Sequence, residues 1–148
     1  MIRFLSTLLG RRPRPLQAGA LCLHQGRVLL IRSLDSGRWI IPKGWPMAGR
    51  TLAGAAMQEA WEEAGIRGRL RPDPVGHFLY AKRGKGGLPR ETEVSVYLID
   101  VTAIADSYPE AGRRERRFLP PAEAADLVGE PGLKALLRAI PGSAHPPA

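Results

Sequence analysis

Three glutamates lie close together in the stretch QEAWEEAGI, which runs from residue 58 to residue 66. Glu59, Glu62 and Glu63 occur within five residues of a chain whose formal net charge is +8. Because a helical residue turns by about 100°, these side chains share one side of a helix. Like charges at such spacings destabilise a helix by about 0.2–0.5 kcal/mol per pair. A divalent cation such as Mg²⁺ reverses that cost, since hard cations prefer carboxylate oxygens.

A helix over residues 51–64 is the element that must position these glutamates. Thr51 is a plausible N-cap, and Gly65 is well placed as the first residue beyond the end. A solvated acidic face is the alternative interpretation of a glutamate-rich helix. One apolar stripe on another side of the helix is predicted to face the core: Ala53, Ala56, Met57, Ala60 and Ala64.

The segment from Gly44 to Ile66 resembles the Nudix box, G-x5-E-x7-R-E-U-x-E-E-x-G-U, where U is a bulky apolar residue. The preceding stretch WIIPKG is similar to the lead-in of that family. The resemblance implies the Nudix fold, an α/β/α sandwich of class α/β (α+β) with a mixed β-sheet between helices. The matching positions are Gly44, Glu59, Glu62, Glu63, Gly65 and Ile66.

Two positions depart from the box. Arg50 stands where the box has its first glutamate, and Gln58 replaces the arginine before Glu59. In the family these two residues commonly pair and tie the loop to the helix. We therefore interpret the departures as one exchanged contact between Arg50 and Gln58. A decayed, inactive box is the alternative, although an unpaired acidic cluster is costly to keep.

The resemblance implies a Mg²⁺- or Mn²⁺-dependent hydrolase in which water attacks a diphosphate linkage at phosphorus. It makes Glu59 and Glu63 metal ligands, and Glu62 a ligand or the general base. Family members differ in the glutamate that activates water, so Glu62 and Glu59 are the catalytic candidates. The carbonyl oxygen of Lys43 is a further implied ligand. Candidates for a distant extra carboxylate are Glu91, Glu93, Glu110 and Glu115.

Basic side chains near the box are candidates for binding phosphate, because Arg offers a fork of donors and Lys a point charge. The segment RRERR at residues 113–117 resembles the basic segment before the last helix of diphosphoinositol and diadenosine polyphosphate hydrolases. A charged edge strand is the alternative for that segment. This branch of the family is the nearest resemblance, and the positive charge suits such polyanions. The candidate substrate-binding residues are Arg32, Arg38, Lys43, Lys82, Arg83 and Lys85.

Other functions stay open. A nucleoside triphosphate or ADP-ribose pyrophosphatase is a second enzymatic hypothesis, and a non-catalytic ligand- or nucleic-acid-binding Nudix-like module is a third. Readers of nucleic acid bases usually interleave aromatic and basic residues on a sheet, and TEVSVYLIDV lacks that pattern. A small anionic phosphate compound is therefore the expected partner, with the chain as a monomer or homodimer.

The length of 148 residues predicts one domain. We expect an N-terminal arm at 1–15, a Nudix domain at 16–141 and a flexible tail at 142–148. No apolar run approaches the roughly 20 residues that span a bilayer, so no membrane partner is expected. Cys22 is the only cysteine, which favours the reducing cytoplasm. The arginine-containing start is also compatible with an organelle-targeting segment.

The remaining elements follow from apolar runs and the Gly and Pro residues that bound them. Residues 16–33 predict a hairpin, residues 43–50 a loop, and residues 83–90 a basic flexible loop. Further strands are predicted within 38–42, 75–82, 92–101 and 113–120, and C-terminal helices within 121–128 and 131–140.

Overall fold

The computed structural model describes residues 14–34, 36–83 and 86–141, and for residues 82 and 83 the backbone alone. Most of the predicted arm, the predicted tail and Lys85 lie outside the described residues. The elements of the described part are β1 (Leu16–His24), β2 (Arg27–Arg32), β3 (Trp39–Ile40), β4 (Lys43–Gly44), α1 (Leu52–Ala64), β5 (Ile66–Leu70), β6 (Gly76–Arg83), β7 (Pro89–Ile104), β8 (Arg116–Leu119), α2 (Pro121–Leu127) and α3 (Pro131–Arg138).

One mixed sheet contains all of these strands. Its centre is the parallel pair of β1 and β7, which runs from Leu16 opposite Glu93 to Leu23 opposite Asp100. The long β7 also pairs antiparallel with β6 and then with β5. At the other side, β2 pairs antiparallel with β1, β3 and β8. The two-residue strand β4 pairs with β1 and so places the start of the box beside the sheet centre.

Helices cover both faces of the sheet, which confirms the predicted α/β/α sandwich. On one face the alanines of α1, among them Ala56 and Ala60, pack against Leu29 and Ile99. Small side chains let the helix lie close to the strands, and the predicted apolar stripe is the face that packs. On the other face α2 and α3 bury residues such as Leu133 against Phe78, Val96 and their neighbours.

Both predicted ends of the glutamate helix are confirmed. Thr51 Oγ1 accepts a hydrogen bond from the Gly54 N–H at 3.0 Å. Gly65 ends the helix with φ 70°, a conformation that other residues rarely adopt. The Tyr108 ring also lies against Gly65, where it leaves no room for a Cβ. Arg116 Nη1 donates to the carbonyl oxygen of Ala64 at 2.6 Å, which satisfies one of the last helical carbonyls.

The structure differs from the predicted elements in three places. Strand β5 was not predicted; it pairs with β7 where Gly68 allows the two backbones to approach closely. The predicted loop at 43–50 contains β4. The predicted basic loop at 83–90 is shorter, because β6 extends to Arg83 and β7 begins at Pro89. Among the residues described, no helix has the length and apolar character to cross a membrane.

Candidate functional site

The pairing of β4 with β1 brings the start of the box against the acidic side of α1. The Lys43 N–H donates to Glu63 Oε1 at 3.2 Å. Gly44 lies directly on the carboxylate of Glu59, so closely that a Cβ at this position would overlap it. The group that lies so close to the Gly44 backbone is thus one of the three glutamates of the helix.

Glu59 and Glu63 share a hydrogen bond, and Glu63 is buried while Glu59 is half-buried. Burial, the hydrogen bond that protonated Glu59 donates to Glu63, and the charges of Glu63, Glu62 and Glu110 raise the pKa of Glu59 to about 8. Burial also raises the pKa of Glu63, although its bond with Glu59, the charge of Arg114 and the Lys43 N–H oppose that change. Both changes favour a proton on this pair of carboxyl groups, and above all on Glu59.

A buried arginine completes the cluster. Arg114 Nη1 donates to Glu63 Oε2 at 2.9 Å, and its other terminal nitrogen pairs with Glu110. Only 11% of the Arg114 side chain is exposed, as is 10% of the Glu63 side chain, so water screens this pair poorly. The sequence showed Arg114 as one member of a basic run, and nothing local distinguishes it from its exposed neighbour Arg113.

Glu110 is the one of the four proposed extra carboxylates that the described structure brings to the cluster. Its N–H donates to the carbonyl oxygen of Glu62 at 3.0 Å, which ties its loop to the end of α1. Glu91 instead pairs with Arg14 at 2.6 Å. Glu115 pairs with Arg32 and Arg117 away from the cluster, and Glu93 lies beside the N-terminal side of β1.

Glu62 lies half-buried at the edge of the cluster. Gln58 Nε2 donates to Glu62 Oε1 at 3.0 Å, an i,i+4 pair along α1. The expected contact between Arg50 and Gln58 is not seen: in the described part of the chain no hydrogen bond joins them, and Arg50 is exposed. The interpretation of an exchanged loop-to-helix contact was therefore wrong. Gln58 instead holds a candidate catalytic glutamate, which a neutral side chain can do through its amide N–H.

The chemistry of this donor set fits a hard divalent cation. The carboxyl groups of Glu59 and Glu63 lie next to each other, and the backbone of Gly44 lies directly against Glu59. Carboxylate and carbonyl oxygens are the ligands that Mg²⁺ takes in proteins. Among the described residues, no group of three or more Asp, Glu, His or Cys side chains is arranged so that it could hold a metal ion. Arg114 holds Glu63 and Glu110 by hydrogen bonds, and Gln58 holds Glu62.

A cavity of about 920 Å³ opens on the other side of Lys43. The Lys43 ammonium lies 4.5 Å from the centre of the Tyr80 ring. The Tyr80 hydroxyl is directed away from the cavity and donates to the buried Gln17 Oε1 at 2.6 Å. Lys43 thus belongs to both places: its backbone contacts the acidic cluster and its side chain lines the cavity. The lining residues include Ser33, Ser36, Arg38, Ile40, Lys43, Leu79, Tyr80 and Glu130.

The predicted phosphate-binding residues divide into separate groups. Arg38 and Lys43 line the cavity. Arg32 does not; its Nε donates to the Gly37 carbonyl at 3.0 Å, and its Nη1 bonds Glu115 at 3.3 Å. Its role is therefore to hold the loop after β2. Lys82 and Arg83 lie at the end of β6, where the side chains are not described, and Lys85 lies outside the described residues.

The basic segment at 113–117 serves mainly structural contacts. Arg114 joins the acidic cluster, and Arg116 binds the end of α1. The guanidinium of Arg117 lies 4.8 Å from the centre of the Trp39 ring. These contacts leave Arg113 as the arginine of the segment that is most exposed to solvent, with 61% of its side chain accessible.

Comparison with known proteins begins with a family model described as the NUDIX domain, which matches residues 13–140. Nudix hydrolase 13, mitochondrial, of Arabidopsis thaliana is 32% identical over 106 residues, covering 68% of this chain and 52% of that protein. Human diphosphoinositol polyphosphate phosphohydrolase 3-beta is 30% identical over 109 residues, covering 69% and 62%. The chain thus spans about half to two-thirds of the length of these curated relatives.

Solved structures show the same fold at lower identity. The E. coli dihydroneopterin triphosphate pyrophosphohydrolase superposes with a TM-score of 0.67 and 19% identity, covering 86% of this chain and 94% of that chain. A C. elegans Ap4A hydrolase superposes with a TM-score of 0.57 and 21% identity, covering 85% and 95%. These matches support the fold of the chain.

Proposed function

Because the chain belongs to the Nudix family, we propose that it hydrolyses a diphosphate linkage in a phosphate-rich small molecule with Mg²⁺ or Mn²⁺. The proposal is carried by the position of Lys43, which lies between a negatively charged cluster and a cavity lined by positive side chains. A carboxylate cluster lies on its backbone side, and a cavity lined by Arg38 and Lys43 lies on its side-chain side. A diphosphate ester needs both, since its phosphates must be neutralised and its attacking water activated.

The residues proposed to hold the cation are Glu59, Glu62, Glu63 and the Lys43 carbonyl oxygen, with Glu110 as the further carboxylate. When bound, the cation supplies charge neutralisation at the phosphoryl oxygens and lowers the pKa of water. Glu62 is our candidate for the base that takes the proton of that water, because it lies at the edge of the cluster and Gln58 orients it. Glu59 is the alternative base.

Arg38 and Lys43 are proposed to bind the phosphates away from the cleaved bond. Their positive charges line the same cavity, where the wall excludes part of the solvent and strengthens attraction to an anion. The Tyr80 ring fixes the direction of the Lys43 ammonium. Contacts of this kind hold the substrate against the carboxylates in one orientation. The barrier is then lower, because less translational and rotational entropy is lost on reaching the transition state.

Diadenosine polyphosphates and diphosphoinositol polyphosphates are the substrate classes we favour. The name of the human relative supports diphosphoinositol polyphosphates, and that of the C. elegans structure supports diadenosine polyphosphates. Nucleoside triphosphates and ADP-ribose are the alternative substrates. The partner is proposed to be a small anionic compound rather than nucleic acid, acted on in the cytoplasm by a monomer or homodimer.

The test is a panel of diadenosine polyphosphates, inositol pyrophosphates, nucleoside triphosphates and ADP-ribose, each assayed with Mg²⁺ and with Mn²⁺. We expect metal-dependent release of phosphate or nucleotide from at least one class. Glu62→Gln should lower kcat by at least about 100-fold, the usual contribution of a general base. The matched control is Glu123→Gln, which removes an exposed carboxylate from the first turn of α2. Tight binding by the wild-type protein with no turnover would favour the non-catalytic module instead.

A further inference from the structure

Glu130 is a carboxylate in the cavity that the proposed reaction does not use. It occupies the N-cap position of α3, yet its side chain makes no capping hydrogen bond to that helix. Its Oε1 is buried and has no hydrogen-bond partner among the described residues. A buried acceptor without a donor is destabilising, and more so when it is charged, so such an atom points to a missing donor. The cavity is the space from which that donor would come.

Positively charged side chains lie near Glu130, but none of those described donates a hydrogen bond to Oε1. Arg38 reaches across Gly129, where a Cβ would lie 3.3 Å from Arg38 Nη1. Burial raises the pKa of Glu130, while the charges of Lys43 and Arg38, a hydrogen bond from the Glu130 N–H and the charge of Lys134 act in the opposite direction. The cavity therefore offers two kinds of contact. Cations attract phosphate oxygens, and one carboxylate oxygen accepts a hydrogen bond.

The rest of the wall suits a flat, weakly polar group. Ile40, Leu79 and the Tyr80 ring line the cavity beside Pro131, which follows Glu130 directly. The Tyr80 hydroxyl is already bonded to Gln17, so the ring rather than the hydroxyl lines the cavity, together with the Lys43 ammonium that lies over it. An aromatic and aliphatic wall with one hydrogen-bond acceptor matches a nucleoside, whose base stacks and whose amino and hydroxyl groups donate.

We propose that Glu130 accepts a hydrogen bond from the nucleoside end of the substrate, so that the cavity selects nucleoside polyphosphates over diphosphoinositol polyphosphates. This inference rests on the proposed function of the same site and narrows its substrate class. A fully phosphorylated inositol ring carries no free hydroxyl or amino group to donate to Oε1, and its phosphates would repel the carboxylate. The donor is either an exocyclic amino group of the base or a ribose hydroxyl.

The experiment measures binding by calorimetry and turnover by phosphate release for the wild type, Glu130→Gln and Glu130→Ala. The ligands are diadenosine tetraphosphate and a diphosphoinositol pentakisphosphate. A hydrogen bond to a charged group corresponds to a change of about 10- to 100-fold. We therefore expect both variants to lose at least about 10-fold in affinity and kcat/KM for diadenosine tetraphosphate, with unchanged or tighter binding of the inositol compound. Glu123→Gln is the control, and melting temperatures report whether each variant folds.

Two analogues identify the donor. One diadenosine analogue lacks the 6-amino groups of its bases, and the other carries 2′-deoxyribose. The effect of Glu130→Gln should disappear with the analogue that lacks the recognised donor and remain with the other. An effect of equal size on both analogues and on the inositol compound would overturn the inference, because Glu130 would then act through the structure of the cavity.

The design separates two failures. Binding of diadenosine tetraphosphate that depends on Glu130 but leads to no turnover would reject the proposed hydrolysis and support the role of Glu130. Turnover of the inositol compound in preference to the dinucleotide, with ratios unchanged in the Glu130 variants, would support hydrolysis and reject the selection.

Discussion

Arg114 Nη1 lies 2.9 Å from Glu63 Oε2, although 51 residues separate the two in the chain. The pair is nine-tenths buried at both side chains and joins the loop before β8 to the acidic side of α1. A cation of the protein itself thus stands next to a glutamate that we propose as a metal ligand. It offsets part of the repulsion among the carboxylates when no other cation is present.

Removal of this guanidinium should destabilise the protein in the absence of metal. We expect Arg114→Met to lower the free energy of unfolding by about 3 kcal/mol, because it leaves a buried carboxylate without its partner. Addition of Mg²⁺ should raise the melting temperature of this variant more than that of the wild type, since a bound cation then compensates the same charges. Thermal unfolding with and without Mg²⁺ measures both effects.

The control is Arg71→Gln, which removes an exposed ion pair with Asp100 at 3.2 Å. Exposed pairs contribute less than about 1 kcal/mol, so this variant should melt close to the wild type in either buffer. Equal melting temperatures for Arg114→Met and Arg71→Gln would show that the buried pair does not stabilise the fold.

A methyl group at Gly44 should disturb the cluster directly. The added Cβ of Gly44→Ala would overlap the Glu59 carboxylate, so Glu59 must move or the backbone of β4 must shift. We expect a loss of Mg²⁺ affinity of at least about 10-fold by calorimetry and a stability loss of about 1–3 kcal/mol. Gly54→Ala tests the specificity of this effect, because its methyl group would lie 3.2 Å from Thr51 Oγ1 at the far end of α1. Similar Mg²⁺ affinities in the two variants would contradict the prediction.

The two functions of Tyr80 should separate in two variants. Tyr80→Phe removes the donor to Gln17 Oε1, and Gln17 is only 2% exposed, so we expect a stability loss of about 1–3 kcal/mol. The ring below Lys43 remains, so KM should change little. Tyr80→Leu removes the ring as well and should raise KM. Urea unfolding and steady-state kinetics give the two quantities, and a KM that rises equally in both variants would assign the effect to the hydroxyl.

Cys22 should be unreactive in the native protein. It is fully buried in β1, and burial raises the pKa of its thiol to about 12. Because the thiolate is the reactive form, iodoacetamide at pH 8 should label the native chain far more slowly than the chain in urea. Mass spectrometry of the two samples over time measures the ratio. Rapid labelling of the native chain would show that β1 opens or that the thiol is accessible.

The sequence was sufficient for the elements that carry strong local signals. Thr51 and Gly65 bound α1 as predicted, because capping chemistry and left-handed backbone depend on single residue types. The hairpin around Gln25 was predicted from its apolar strands and its turn. Strand β5 was missed, since the stretch IRGRL is short, basic and contains a glycine. Its pairing is decided by β7, which follows it much later in the chain.

The candidate site was predictable where one helix supplies it. Glu59, Glu62 and Glu63 stand out by spacing alone. Arg114 and Glu130 did not, because their roles come from neighbours 51 residues away or from the shape of a cavity. The expected Arg50–Gln58 contact failed for a related reason: Gln58 has a nearer partner on its own helix.

Lys43 gives the two halves of the site a common element. Its N–H contacts Glu63 and its ammonium lies over Tyr80. A shift of this residue therefore changes the contacts of both the carboxylate cluster and the cavity. Occupancy of one half can then alter affinity at the other. Thermodynamic linkage requires such an influence to be reciprocal: whatever factor Mg²⁺ adds to the affinity for substrate, substrate adds to the affinity for Mg²⁺.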